Sequence, residues 1–507
     1  MNHEYLITIN KTFFTVYIDS PTARRLMGDF LKRFNTYRLI YDYKKRKKVR
    51  QLDRNYSGGN RNLKEYRFNI TFIKDFMWLL RTYKIDKDQI EVVKEDDFKS
   101  NRLNINLKSN YTLRDYQELA FNKLIDNNYS PTKLINHQTG KGKTLMSIAA
   151  ACELNKATAI IILPKYIPKW ISDIKELTDA TDDDIVVIRG SKDFIMAMET
   201  AASGEYIPKF MIFSNRTIYL YLKAYEAISN IDEFLYPIIP TNLMETFGIG
   251  TILVDEVHQE FYSVYKASLY FAVENFIGMS ATLETDDPNT EKFYRALFPN
   301  PSRLADLAYD RYVDIHAVQY AIERPKRIYA MNNMGYNHIK FEQSVMRDNR
   351  TLANYIEMIK FYVKKGYLDR KKKGDKIIIF AASIEFCSLL TELFKSIYTD
   401  LDVRRYVEDD PYENIMNADF IITTVLSAGT ALDVSGLITV IQTIAMKSRQ
   451  ANLQSLGRLR KKEGKRMEFY YFFSKEIEKQ YEYHKSRLEL FRGRAKELYI
   501  EEYKKPI

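Results

Sequence analysis

Short runs of β-branched and aromatic residues punctuate the middle of the chain. Between about 130 and 300 they read KLIN, ATAIIIL, KFMIFS, TILV and NFIGMS. Each is apolar almost without a break, which fits strands buried on both faces of a parallel sheet better than half-exposed ones. Stretches with helical spacing separate them. A second series follows, DKIIIF, ADFIITT, LITVIQTI and MEFYYFF, built in the same way. Two successive series predict an α/β protein with two doubly wound parallel-sheet domains in tandem. The stretch 301–374 is mixed and ends in the charged LDRKKKGDK, a loop before the first strand of the second domain. From Ser474 onward the chain is highly charged, with apolar residues at helical spacing, and predicts a terminal helix packed on that domain.

The first hundred residues follow another pattern. FFTVYID, YRLIYDY and KEYRFNI predict strands; PTARRLMGDFLKRF and FIKDFMWLLRTYKI predict helices; YSGGN is a turn. This is a small α+β domain, and the division expected is 1–98, 99–312 and 313–507. Charge sharpens the contrast. Residues 1–100 hold 22 Lys and Arg against 13 Asp and Glu, a balance of +9, whereas the remainder carries only +2 of the net +11. A basic module joined to a near-neutral body suggests an attached polyanion-binding unit. Within it YDYKKRKKVR is the kind of Tyr-flanked basic segment that meets phosphates, and a solvated hairpin arm is the plainer alternative.

Composition removes several classes. Apolar residues make up 46% of the 507, so a globular chain is expected. No run approaches the ~18 apolar residues of a membrane helix, and no signal-peptide pattern opens the sequence. The two cysteines, Cys152 and Cys387, lie far apart with no metal-ligand spacing. A cytoplasmic, monomeric protein without a membrane partner is expected.

Candidate chemistry begins at LINHQTGKGKT, residues 134–144. A loop that leaves a buried strand and enters a helix aims backbone N–H groups at an anion, and the helix dipole adds to the attraction. Thr139, Gly140, Lys141 and Gly142 would form that loop, Lys143 would reach the terminal phosphates and Thr144 would ligate Mg²⁺. His137 stands where a strict phosphate loop has Gly. Gly is otherwise scarce, and Gly140, Gly142, Gly278, Gly429 and Gly457 mark strand ends or turns. TILVDEVH follows, an apolar strand ending in two carboxylates, costly unless the charges are used. At the carboxyl end of a parallel strand they lie where open α/β sheets bind ligands. Asp255 would hold Mg²⁺ opposite Thr144, and Glu256 would orient and deprotonate the attacking water. Downstream, QSLGRLRKK offers Arg458 and Arg460 to stabilise charge in phosphoryl transfer.

Set in order, these pieces resemble the motifs of superfamily 2 helicases. LRDYQ resembles the upstream Gln element, HQTGKGKT motif I, ILPKYIPKW motif Ia, FSNRT motif Ib, DEVH motif II in its DExH form and MSATL motif III. KIIIFAAS resembles motif IV, TTVLSAGTALDV motif V and QSLGRLRKK motif VI. The resemblance implies two RecA-like domains and an ATP- and Mg²⁺-dependent motor. It implies that Gln117, with Arg114 beside it, selects adenine. It further implies that His258, Ser280, Thr282 and Gln454 couple the ATP site to the nucleic-acid path. Thr424, Gly429 and Asp433 would sense both ligands, Thr424 from the nucleic-acid side, and Lys165, Trp170, Ser214 and Arg216 would line the strand-binding face. Trp170 also begins an apolar helical pattern and could be core. Two departures stand out: Ala431 replaces a Gly of motif V, and motif VI is one residue short, so Arg460 must supply its second positive charge. Over nearly the whole chain the pattern is similar to the UvsW-type phage recombination helicases. That likeness implies a DNA helicase acting on branched or forked DNA, by branch migration, fork regression, unwinding and annealing. LPKYIPKW also resembles Snf2-type duplex translocases, and the DExH form leaves an RNA helicase open. A non-catalytic nucleic-acid-binding protein is disfavoured by the intact Lys143, Thr144, Asp255, Glu256 and Arg458.

Overall fold

The computed structural model describes residues 3–95, 98–126, 128, 130–138, 140–204, 208–280, 287–304, 310–408, 410–411, 413–425, 427 and 434–507. The chain divides into two compact units: residues 1–39 with 50–307, and residues 40–49 with 308–507.

In the first unit the N-terminal strands form a four-stranded sheet in the order Glu65–Asn69, Phe13–Ile18, Tyr5–Ile9, Ile90–Lys94. Two helices supply its core. Pro21–Leu31 is capped by Ser20, whose hydroxyl accepts from the Ala23 N–H at 3.0 Å, with Pro21 pre-set for the first turn. Its buried Ala23, Leu26, Met27 and Phe30 recur at helical spacing. Ile73–Thr82 adds Phe76, Leu79 and Leu80. Phe14, Phe30, Phe34, Phe68 and Phe76 meet there with ring centroids 4.8–5.8 Å apart. Strands Asn35–Asp42 and Lys47–Asn55 form a separate two-stranded sheet, whose tip, residues 40–49, is counted with the second unit.

The small sheet is not a bead on a linker. It shares one hydrophobic core with the domain that follows. Tyr56 stacks on Phe293 with centroids 4.0 Å apart, and Asn60 donates to the carbonyls of Tyr225 and Ile228 at 2.6 and 2.9 Å. The expectation of an attached basic module therefore needs correcting. Its charge sits on the surface, while its inner face completes the core of the next domain.

That domain is a six-stranded, wholly parallel sheet flanked by helices, in the order Thr132–Ile135, Asn275–Met279, Thr251–Val254, Thr158–Ile162, Phe210–Ser214, Ile185–Ile188. Register aligns Val254 with Gly278 and Met279 with Ile135, so the carboxyl ends of the first three strands lie side by side. Gly278 is required by packing: a Cβ there would meet the Phe298 ring at 2.6 Å. The five strands expected from sequence are present. Ile185–Ile188, hidden as a four-residue edge behind three aspartates, is an addition.

The second unit is a seven-stranded parallel sheet ordered Val403–Tyr406, Phe420–Thr424, Lys376–Ala381, Leu437–Gln442, Met467–Ser474, Val313–Tyr320, Glu497–Tyr503. Two expectations change. The sheet's first strand is Val313–Tyr320 rather than DKIIIF; its Asp314, His316 and Gln319 break the apolar run, and Asp314 pairs with Arg466 while His316 Nδ1 meets Glu501 at 2.6 Å. The terminal segment is helix Glu478–Arg492 followed by an edge strand, Glu497–Tyr503, none of whose residues is fully buried. These are doubly wound α/β domains of the RecA-like kind.

Candidate nucleotide site

The loop after Thr132–Ile135 turns into helix Lys143–Leu154 through two left-handed glycines, Gly140 at φ 85° and Gly142 at φ 73°. Gly142 occupies the N-cap position, where the left-handed backbone aims the first N–H groups of the helix out of the loop. There is no room for a side chain, since a Cβ would lie 2.3 Å from Gln117 Nε2. Gln117 is buried and held at both ends of its amide: Nε2 donates to the Lys141 carbonyl at 3.1 Å, and Oε1 accepts from the Arg114 N–H at 2.9 Å. The Gln element thus grips the loop by its backbone, a contact not foreseen from the motif. Lys143 Nζ donates to the His137 carbonyl at 3.0 Å, closing the loop across its first turn.

Beneath the loop lies a residue that sequence reading missed. Lys133, completely buried in the strand, donates to the Leu124 carbonyl at 2.6 Å and to Asn275 Oδ1 at 3.0 Å. It joins the end of the Gln-element helix to the neighbouring strand, and burial pulls its pKa down to about 8. A lysine inside an otherwise apolar TKLI run was the available signal.

At the end of Thr251–Val254, Asp255 accepts from the Glu256 N–H through Oδ1 and from the Trp170 indole N–H through Oδ2, both at 2.9 Å. Desolvation raises the Asp255 carboxyl above its usual range, against the indole and the Lys143 charge, which lower it. Glu256 has a left-handed backbone, φ 48°, which costs a non-glycine residue about 1–3 kcal/mol and aims its side chain off the strand line. His258 Nδ1 lies 2.8 Å from Ser280 Oγ and 3.3 Å from Glu256 Oε2. Ser280 in turn donates its N–H to the Ile135 carbonyl at 3.1 Å. The DExH turn, the motif III serine and the root of the phosphate loop are therefore one hydrogen-bonded assembly.

Burial and the Lys143 charge push His258 down to about 3, so it is neutral at physiological pH. His258→Asn should leave the shape of the pH–rate profile between pH 5.5 and 8 unchanged while lowering the rate; loss of an acid limb near 6.5 in the variant would refute a neutral His258. The stability sign follows from the depressed folded value. Below about pH 6.5 the unfolded chain takes up the proton first, so the contribution of His258 is lost as pH falls from there toward 3, at about 1.4 kcal/mol per unit.

Among the described residues no cluster of three His, Cys, Asp or Glu would hold a metal unaided. One carboxylate and one hydroxyl, Asp255 and Thr144, suit Mg²⁺, which keeps waters and takes its remaining oxygens from substrate phosphates.

The sheet edge also gathers the strand-face candidates, with corrections. Lys165 and Arg216 are exposed, as a surface role requires. Trp170, at 1% exposure, and Ser214, at 2%, are buried and present no face to a polymer. Trp170 is core on its ring and polar at its tip. In the second unit Thr424 is also buried, its hydroxyl donating to Ser427 Oγ at 2.7 Å. Gln454 lies in helix Arg449–Leu456; Arg458 just beyond it is 5% exposed, and Arg460 is half-buried. Thr139, Thr282, Gly429 and Asp433 lie outside the described residues.

Fold and loop together form a candidate phosphate-binding site in a parallel α/β domain, and the chain is similar to proteins already known. Residues 110–285 match the family model for the type III restriction enzyme, res subunit. The general transcription and DNA repair factor IIH helicase/translocase subunit XPB of Schizosaccharomyces pombe is 24% identical over 410 residues, covering 77% of this chain and 47% of that protein. The XPB/SSL2 subunit of Saccharomyces cerevisiae is 21% identical over 444 residues, covering 79% and 48%. The Pyrococcus furiosus Hef helicase domain structure is 13% identical, covering 74% of this chain and 98% of that one, with a TM-score of 0.43. The chain spans about half the length of the curated relatives it matches. The family model and the curated relatives support a superfamily 2 helicase, an ATP-dependent enzyme. Among the described residues no helix is long and apolar enough to cross a membrane.

Proposed function

We propose that this chain is an ATP- and Mg²⁺-dependent DNA helicase or translocase acting on branched or forked DNA, with activities of branch migration, fork regression, unwinding and annealing. The observation that carries the motor reading is the linked set Lys143, Asp255, Glu256, His258 and Ser280 at the neighbouring carboxyl ends of three parallel strands. Thr144 and Asp255 would hold Mg²⁺, which would neutralise phosphate charge when bound. Lys143 would bind the terminal phosphates and Glu256 would take the proton of the attacking water. Arg458 and Arg460 are assigned the charge that develops in transfer. Three parts, 1–98, 99–312 and 313–507, would divide the labour, in a monomer, with the first contributing DNA contacts.

DNA as partner is supported by the hairpin Asn35–Asp42 and Lys47–Asn55. Lys44, Lys45, Arg46, Lys47, Lys48 and Arg50 are all exposed on it, and Tyr43 at its turn is 77% exposed. Such an arm offers charge to phosphates and a ring to a base. The names of the curated relatives, subunits of a DNA repair factor, point to the same polymer. Replacing Lys44, Lys45, Arg46 and Lys47 by Gln should weaken DNA binding and flatten the slope of log affinity against log salt by roughly 3–4. An unchanged slope would remove the hairpin from the interface.

The deciding experiment is ATP turnover with single-stranded DNA, blunt duplex, a four-way junction and RNA, beside a Lys143→Ala control. Strongest stimulation by the junction supports the branched-DNA reading, in keeping with the UvsW-like pattern. Equal stimulation by blunt duplex favours a translocase without strand separation, the second reading, which the helicase/translocase relatives and PKYIPKW both support. Stimulation by RNA alone overturns the DNA assignment.

A further inference from the structure

We infer that Trp170 is a positioning residue for the metal-bearing carboxylate: its indole N–H holds Asp255 in the rotamer that meets Mg²⁺. The inference rests on the ATPase reading above and concerns a residue that motif resemblance would send to the nucleic acid instead.

The geometry is specific. Trp170 lies in helix Ile167–Leu177, whose buried positions Ile167, Trp170 and Ile174 recur every three to four residues and pack the helix onto the sheet. Spacing alone would make Trp170 ordinary core. Its ring is indeed buried, but its one polar atom ends 2.9 Å from Asp255 Oδ2. Indole is a donor only, so it can serve the ionised carboxylate and cannot take a proton from it. The other oxygen, Oδ1, accepts from the Glu256 N–H. Each oxygen of Asp255 thus has one fixed donor and keeps lone-pair capacity for a cation, and the carboxylate plane is set by two N–H groups on different elements. Partners of this kind, which orient a ligand without touching the metal, typically change metal affinity or activity 10–100-fold when removed. A tryptophan is suited to the task because its two-ring body is anchored by packing while its N–H sits at the edge, so the donor cannot swing away.

The test uses the full-length protein and the fact that it has only two tryptophans, Trp78 and Trp170. Trp78 is 58% exposed, so Trp78→Phe is a surface change that leaves Trp170 as the single tryptophan, excited selectively over the 38 tyrosines at the red edge of the absorption band. ADP is titrated with and without Mg²⁺, and nucleotide binding is followed in parallel by calorimetry. The expected result is a shift in Trp170 emission that requires Mg²⁺ together with ADP. Calorimetric binding with no Mg²⁺-dependent change in emission would overturn the inference while leaving the ATPase reading intact. No calorimetric binding at all would overturn both. Trp170→Phe keeps most of the packing and deletes the N–H. It should raise the Mg²⁺ concentration for half-maximal ATP turnover about 10-fold or more, with little change in ADP affinity measured without Mg²⁺. An unchanged Mg²⁺ requirement refutes the positioning role. If the Phe variant fails to fold, the single-tryptophan titration still decides.

Discussion

Glu256→Gln is expected to lower ATP turnover by 10²–10⁴-fold, the usual worth of a general base, while nucleotide still binds. The structural reason is that the two carboxylates are held differently. Asp255 is tied by two N–H groups, whereas Glu256 Oε2 lies 3.3 Å from His258, a group held neutral by burial and by Lys143. The left-handed backbone of Glu256, φ 48°, is local strain placed at the end of the strand that carries the site. Gln preserves shape and the His258 contact but cannot accept the proton of water. Turnover and binding should therefore separate, measured by steady-state hydrolysis and by nucleotide titration. Parent-level turnover in the variant would move the base elsewhere.

The second large effect is on stability. Arg67→Ala should cost the first unit about 3–5 kcal/mol, the penalty for leaving a buried carboxylate without its partner. Arg67 and Glu65 are 3% and 4% exposed and paired through Nε and Oε1. Tyr225 donates its hydroxyl to Glu65 Oε2 at 2.7 Å, and Arg67 Nη1 donates to the Leu269 carbonyl at 3.2 Å. The guanidinium also lies 5.2 Å from the Phe13 ring and 5.1 Å from that of Tyr270. These contacts bolt the N-terminal sheet to helix Asn215–Ala227, which begins at the motif Ib residues, and to Leu269 and Tyr270, just beyond the end of helix Phe261–Ser268. The pair Arg67→Met with Glu65→Gln removes both charges, keeps an acceptor for Tyr225 and should recover most of the loss. Denaturant midpoints for the two variants are the check, and a parent-like midpoint for Arg67→Ala would discard the argument. By the same logic, deleting residues 1–98 should remove Tyr56, expose the Phe293 ring it covers and compromise folding of the unit. That differs from a separable module, whose removal would cost DNA affinity alone.

What could be read without coordinates was local in the chain. Unbroken apolar runs of four to seven residues named most of the parallel strands, because burial on both faces leaves no polar alternation to confuse. GKGKT and DEVH named the chemistry, because a phosphate loop and a strand-end carboxylate pair are short contiguous solutions to anion and cation binding. The short edge strand Val403–Tyr406 escaped, as did two whose apolar pattern is interrupted, Val313–Tyr320 and Glu497–Tyr503. One carries buried polar residues that a distant partner satisfies, and the other is an edge with an exposed face.

Tertiary structure alone decided which side chains serve the site. Trp170 and Asp255 are 85 residues apart, and no periodicity says that an apolar helix will turn its indole N–H toward that carboxylate. Gly59 and Tyr270, 211 residues apart, join the small sheet to the motor in the same way, the backbone N–H donating to the phenol at 2.6 Å. Sequence sets what each segment can bury and which groups it brings; the pairing of buried polar groups across long separations depends on how the segments close on one another, since each such group must find its partner in the interior that the whole fold creates.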